Sequence, residues 1–282
     1  MTMSIAEEAR FVTIDRRRPL DALVRHEPVF GALGLLMMAA MAPTLFAYAI
    51  DGRTFNGVNI WLKPLKFEFS LTVYFLTLAF LARWLPAGIR DRRWYRWFTG
   101  TVVVASVAEI VWIGAAAAMG TASHFNTSPI GAAIYPAMGV AATLITSASA
   151  VFAWQIWRNG ALRMPPAFCE SVVLGLALVL PLTLITAGTM SGLGGHGIGG
   201  QAGDTGGLML MGWARDGGDL RVAHFFATHA MHFIPAFALV SVPVFGGADR
   251  RPVRIFAALF VAFVAFTLIQ ALMGRPFLAA LG

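Results

Sequence analysis

Seven stretches of this sequence are apolar and long enough to cross a bilayer as helices, and that fact narrows the fold more than any other. They run roughly 29–50, 67–86, 98–119, 130–157, 167–190, 221–245 and 253–273. A hydrocarbon core of ~30 Å takes about 20 helical residues. In lipid the backbone must satisfy its own hydrogen bonds, which continuous apolar runs do as helices. Composition agrees. Apolar residues make up 58% and charged residues 12% of the chain, against about half and about a quarter in soluble domains. The expected fold is therefore all-α, a polytopic membrane protein with seven transmembrane helices. No fixed-period repeat and no soluble domain is visible.

The formal charge of +7 does not indicate nucleic acid, because the arginines stand in short connections beside the spans, where they set orientation. Arg10, Arg16, Arg17, Arg18 and Arg25 precede the first span. Arg83, Arg90, Arg92, Arg93 and Arg96 lie in the second connection, Arg158 and Arg163 in the fourth, and Arg250, Arg251 and Arg254 in the sixth. The first, third and fifth connections are poor in cations or balanced by acids. The positive-inside rule then places the N-terminus in the cytoplasm and the C-terminus outside, as seven spans require. The organisation expected is a basic cytoplasmic segment 1–28, a seven-helix domain 29–273 and a short outer end 274–282. No apolar core precedes Val29, so the first span is expected to act as a retained signal rather than a cleaved one. The single cysteine, Cys169, excludes an intrachain disulfide and reads as a buried thiol.

Polar groups inside apolar spans are the candidates for chemistry. Asp219-Leu-Arg-Val-Ala-His224-Phe-Phe-Ala-Thr-His229-Ala-Met-His232-Phe-Ile-Pro235 carries three of the six histidines into the sixth span. His229 and His232, three apart, share a helix face. His224 lies about 80° around from His232 and ~12 Å nearer the surface, where a gate, a relay or a separate ligand suits it. Pro235 frees the carbonyl of Met231 and predicts a kink just below the pair. Asp219 is a natural N-cap. Glu109 is the one acid well inside a span, ~16 Å from its cytoplasmic end, and His232 lies at ~20 Å. Gln270 on the seventh span falls near the depth of His229.

Two chemistries fit this set. His229, His232 and Glu109 would ligate a metal ion such as zinc, copper or iron, with Glu109 alternatively the general base. Alternatively the histidines, His224 among them, would ligate haem, with Arg53, Lys63, Lys66 or Arg221 at its propionates. Either would support redox or metal-assisted chemistry on a small or lipid-soluble substrate. A proton-coupled carrier using Glu109 and the histidines as a relay is the enzyme-free rival, and a non-catalytic accessory subunit is the third. Lys63 and Lys66, in Trp61-Leu-Lys63-Pro-Leu-Lys66-Phe-Glu68, could instead hold an anionic head group or snorkel to the interface.

The fifth connection, residues 191–219, is unusual. Twelve of the 27 residues from Gly192 to Gly218 are glycine, and they surround His196, Gln201, Asp204 and the run Leu208 to Trp213. It reads either as a flexible linker or as an ordered lid over a site beneath. Gly218-Asp219-Leu220-Arg221 with His224-Phe225 and His229, together with Trp61-Leu-Lys63-Pro-Leu-Lys66-Phe, resembles patterns in multi-span bacterial inner-membrane proteins. That resemblance implies a bacterial inner-membrane setting and brings no mechanism or cofactor.

Overall fold

The computed structural model describes residues 24–200, 203–208 and 211–278. Most of the basic segment 1–28, two residues of the run before Trp213, and residues 279–282 fall outside them. Among the described residues eight α-helices carry the fold: α1 (Pro28–Ile50), α2 (Leu62–Leu81), α3 (Arg93–Ala118), α4 (Pro129–Trp157), α5 (Pro166–Leu193), α6 (Leu220–Thr228), α7 (Ala230–Phe245) and α8 (Arg251–Leu272). Six are long and apolar enough to cross a membrane, and α6 with α7 makes a seventh if that pair, bent by 58°, is one span. This is the architecture of a multi-pass helical membrane protein. The spans bury only 28–44% of their most apolar windows. Val104, Val140, Val240, Ile255 and Phe266 stay exposed, as lipid-facing residues do.

Helix starts follow local chemistry. Glu27 accepts from the N–H of Val29 ahead of Pro28, and Ser128 accepts from Gly131 ahead of Pro129, so each helix opens on a side-chain cap with proline where its missing N–H costs nothing. Asp219 caps α6 through the N–H of Arg221, as expected. Several boundaries differ from the hydropathy reading. Helix α2 begins at Leu62 rather than 67, which puts Lys63 and Lys66 inside its opening turns. Helix α3 begins at Arg93 rather than 98, which brings Arg93 and Arg96 inside its opening turns. Hydropathy stops where charge begins, whereas backbone hydrogen bonding does not.

Close helix packing falls into two groups. Helices α1, α2 and α3 pack on one another, α5, α6, α7 and α8 form the second group with α4, and α3 against α4 joins the two. At the arginine-bearing end aromatic rings fill the seam between them. Phe30 lies 5.4 Å from Phe75 and 5.9 Å from Phe152, and Trp84 lies 5.6 Å from Phe168. Asn159 donates to the Trp84 carbonyl across the same seam. Exposed Trp94, Trp97, Trp154 and Trp157 ring this end, where amphipathic indoles favour a membrane interface. Toward the opposite end α2 and the bent α6–α7 pair are bridged by side chains rather than by close backbone packing.

Candidate functional site: a histidine line at a helix break

Helix α6 stops at Thr228, and His229, with φ −94° and ψ 7°, separates it from α7. The break falls at the first histidine of the pair, one and a half turns before Pro235, rather than below the pair. Two features hold it there. Pro235 cannot donate to the Met231 carbonyl. Gly175 of α5 lies so close that a Cβ on it would stand 3.0 Å from both the Ala230 carbonyl and Pro235 Cδ, so only a bare backbone fits against the turn.

The break turns the two imidazoles toward each other. His229 Nδ1 lies 3.1 Å from His232 Nδ1, and His232 Nε2 lies 3.0 Å from the hydroxyl of Thr77 on α2. One arrangement of protons satisfies every one of these contacts. Thr77 donates its one proton to the Val73 carbonyl at 2.7 Å, so it accepts from His232 Nε2–H. His232 Nδ1 is then an acceptor, His229 Nδ1–H its donor, and His229 Nε2 carries a lone pair. A matching arrangement is possible one turn higher. Thr186 donates to the Leu182 carbonyl at 2.9 Å and faces His224 Nδ1 at 3.1 Å. His224 therefore donates from Nδ1 and keeps its lone pair on Nε2. All three rings are half-buried rather than sealed. Sequence reasoning missed Thr77, Thr186 and Gly175; a hydroxyl or glycine inside an apolar span is the available signal, shared with many that face lipid.

Above the histidines the walls carry charge. Glu109 of α3 is 6% exposed, and its Oε1 has no hydrogen-bond partner among the described residues. Lys63 lies in the field of Asp204, Arg221 and Glu109. His124, after α3, packs its ring 5.6 Å from Phe67 and sits beside Lys63 and His224. Burial first, then those two neighbours, hold its pKa down at about 3, so it is neutral.

In its described part the glycine-rich connection is a strap tied down by a short ladder, ion pairs and hydrogen bonds. Gly197–Ile198 pairs antiparallel with Gly218–Asp219. Arg221 binds Asp219 and Asp204, each at 2.7 Å, and the Gly212 carbonyl at 2.8 Å. Lys66 donates to the Met211 carbonyl, and Asp204 N–H to the Asn56 carbonyl. Trp213 is buried against Phe225 and Phe277. Burial alone would raise the Asp219 carboxyl, but the hydrogen bonds and charge of Arg221 outweigh it and hold it below the ordinary carboxylate range. His196 lies 3.6 Å from Asp204 and 3.9 Å from Asp219. Burial, reinforced by Arg221, keeps its pKa below the usual imidazole value despite those acids.

The described residues bring only part of the candidate set together. The structure unites His229 and His232 but does not add Glu109 as a third ligand: among the described residues no three His, Cys, Asp or Glu side chains are placed to hold one metal ion. The reason is topological, since α3 packs chiefly on α1, α2 and α4, whereas α6 and α7 pack on α5 and α8. Gln270 also stands apart, donating to the Pro276 carbonyl beyond its own helix. Of the four cations expected at haem propionates, Arg53 is held by Asp51 and the Ala118 carbonyl, Lys66 by Met211, and Arg221 by the strap. Lys63 alone is uncommitted among the described residues. No protein-family model matches the chain, and no curated protein or solved structure is significantly similar to it.

Proposed function

We propose that this chain is a proton-coupled membrane carrier, in which His229, His232 and Thr77 form a proton relay beneath a cleft that takes a small polar solute. The observation that carries the reading is the hydrogen-bonded line Nε2 of His229, Nδ1 to Nδ1, Nε2 of His232 and Thr77, set where a span is broken. Irregular backbone at membrane depth is tolerated where protein or an aqueous cavity surrounds it, and carriers place their sites at interrupted helices. A proton taken up on His229 Nε2 releases the Nδ1 proton to His232, which in turn passes its Nε2 proton toward Thr77. Each ring gains one proton and loses one. His224, with its free Nε2 nearer the strap, is the first acceptor on the path.

The reading includes an orientation. The strap would face the periplasm of a bacterial inner membrane and the arginine end the cytoplasm. It is supported by the gathering of Arg83, Arg90, Arg158, Arg250 and Arg254 at the aromatic end, where Arg250 and Arg254 also pair with Glu170.

One contact also favours a second reading. Two nitrogens 3.1 Å apart have nearly the separation of two ligands on one tetrahedral zinc, given metal–nitrogen distances of ~2.0–2.1 Å. His229 and His232 would then hold a metal ion whose remaining ligands come from water or substrate. Proteoliposomes decide between them. Under an imposed potential, with mixtures of amino acids, sugars and organic acids outside, a trapped pH dye should report proton influx that His232→Ala abolishes. Absence of influx with every mixture overturns the carrier. Stoichiometric zinc, copper or iron in the pure protein, lost in the same variant, establishes the metal reading instead.

A further inference from the structure

The strap joins the two helix groups, and Asp204 is where its ties meet. The Asp204 N–H donates at 2.9 Å to the carbonyl of Asn56, in the short hairpin between α1 and α2. The Asp204 carboxylate accepts from Arg221 of α6 at 2.7 Å. Two carbonyls further along the strap repeat the pattern: Met211 accepts from Lys66 of α2, and Gly212 from Arg221. Segment 203–212 is thus fastened to the first helix group on one side and, through Arg221, to the second on the other.

His196 sits against this tie. Its Nε2 lies 3.6 Å from Asp204 Oδ1 and its Nδ1 lies 3.9 Å from Asp219 Oδ1, both beyond hydrogen-bond reach. Each of those oxygens already serves Arg221. Asp204 Oδ1 accepts from Nη1–H at 2.7 Å, and Asp219 Oδ1 from the backbone N–H and Nε–H at 3.0 and 2.9 Å. The ring's Nδ1 is buried without a partner among the described residues, and the cavity beside it, of about 30 Å³, has room for one water. A neutral imidazole has one N–H and an imidazolium two. A proton added here points both N–H groups at oxygens that Arg221 holds, so two cations compete for the same acceptors. Lys63 of α2 adds a further positive field, Asp216 lines the same cavity, and Arg275 is the one charged residue at this end of α8, which packs on the ladder. Burial first, then Arg221, keeps the ring neutral while the strap is tied. We propose that His196 is an acid-operated release: a proton taken from solvent sets its imidazolium against Arg221, unties Asp204 from α6 and frees segment 203–212 from the second helix group. The device needs no solute and no proton relay, so it stands or falls apart from the carrier reading.

The test is hydrogen exchange read by mass spectrometry on the full chain in detergent, with labelling times scaled at each pH to the intrinsic exchange rate. A freed ring titrates at the ordinary 6.5, above its value in the tied strap. The tied form is therefore fully favoured above that pH and loses ground as pH falls below it. Peptides that carry the amides of Asp204, Leu208 and Gly212, all hydrogen-bonded in the tied strap, should lose protection about ten-fold or more between pH 7.5 and pH 5. Peptides from α4 should keep theirs. His196→Gln, which takes up no proton, should hold at pH 5 the protection it has at pH 7.5. The proposal is overturned if protection of the segment stays constant or rises on acidification. It is equally overturned if the loss sets in only below pH 5, where carboxylates titrate, or if His196→Gln loses as much as the parent chain. The pH of onset, read on wild-type protein, decides the matter where the variant fails to fold.

Discussion

An imidazole inside a bilayer is tolerated when its nitrogens find partners, and His232 has one on each side. Thr77→Val removes the acceptor of its Nε2–H while keeping the shape of the side chain. We expect a stability loss of about 1 kcal/mol, the scale of hydrogen bonds between membrane helices, and a clear fall in proton influx. Thr77→Ser should restore both, read by thermal unfolding in detergent and by the dye assay. His124 gives a pH dependence. Its folded pKa of about 3 lies below the ordinary 6.5, so between those values the unfolded chain holds the extra proton. Stability therefore falls as pH drops through that window. The unfolding midpoint should decline less between pH 7 and pH 5 in His124→Gln than in the parent chain. At this scale the sequence is a partial guide. Histidines are conspicuous because an apolar span rarely holds them, and the meeting of His229 with His232 follows from their spacing. Thr77 and Thr186 were not legible, because threonines that bond back to their own helix, such as Thr143 and Thr189, look the same in sequence whether they face lipid or a histidine.

The strap and the broken span show what a hydropathy profile can and cannot convey about elements. Apolar runs located every span to within a few residues, and Asp219 marked the start of α6. The position of the bend was not legible. It depends on Gly175 of another helix, and a close approach between distant segments leaves no local signature. The strap's order was also hidden, because its glycines suggest freedom that Arg221 and the short ladder remove. Gly218 is the sharpest test: a Cβ there would lie 1.9 Å from the Ala271 carbonyl. Gly218→Ala must displace either the ladder or the end of α8. It should cost about 1–3 kcal/mol, the usual scale of overpacking, measured as a lowered unfolding midpoint. Arg221→Met leaves the helices intact but unties Asp204, Asp219 and Gly212. It should open the strap to proteolysis between residues 195 and 218 under conditions where the parent chain resists cleavage.

The two helix groups, joined through α3 and α4, are the arrangement on which the carrier reading depends. Charge counting could not reveal this seam, since composition says nothing of which helices adjoin; that is also why Glu109 was placed with the sixth-span pair. Topology can be checked by labelling a Cys169→Ala background. Thr205→Cys should react with an impermeant maleimide on intact cells, and Asp91→Cys only after lysis; the reverse pattern would invert the proposed orientation. The aromatic floor has its own consequence. Along α2, Thr77 stands only ~10 Å from Trp84, and between them lie Phe80 and Leu81, with Phe168 packed against Trp84. An electric potential across a membrane falls mainly over its driest layer, so most of the voltage would be concentrated in that thin aromatic stratum. A charge at Thr77 would then have crossed most of the protein but little of the field, and current through this molecule should depend steeply on voltage at its last step.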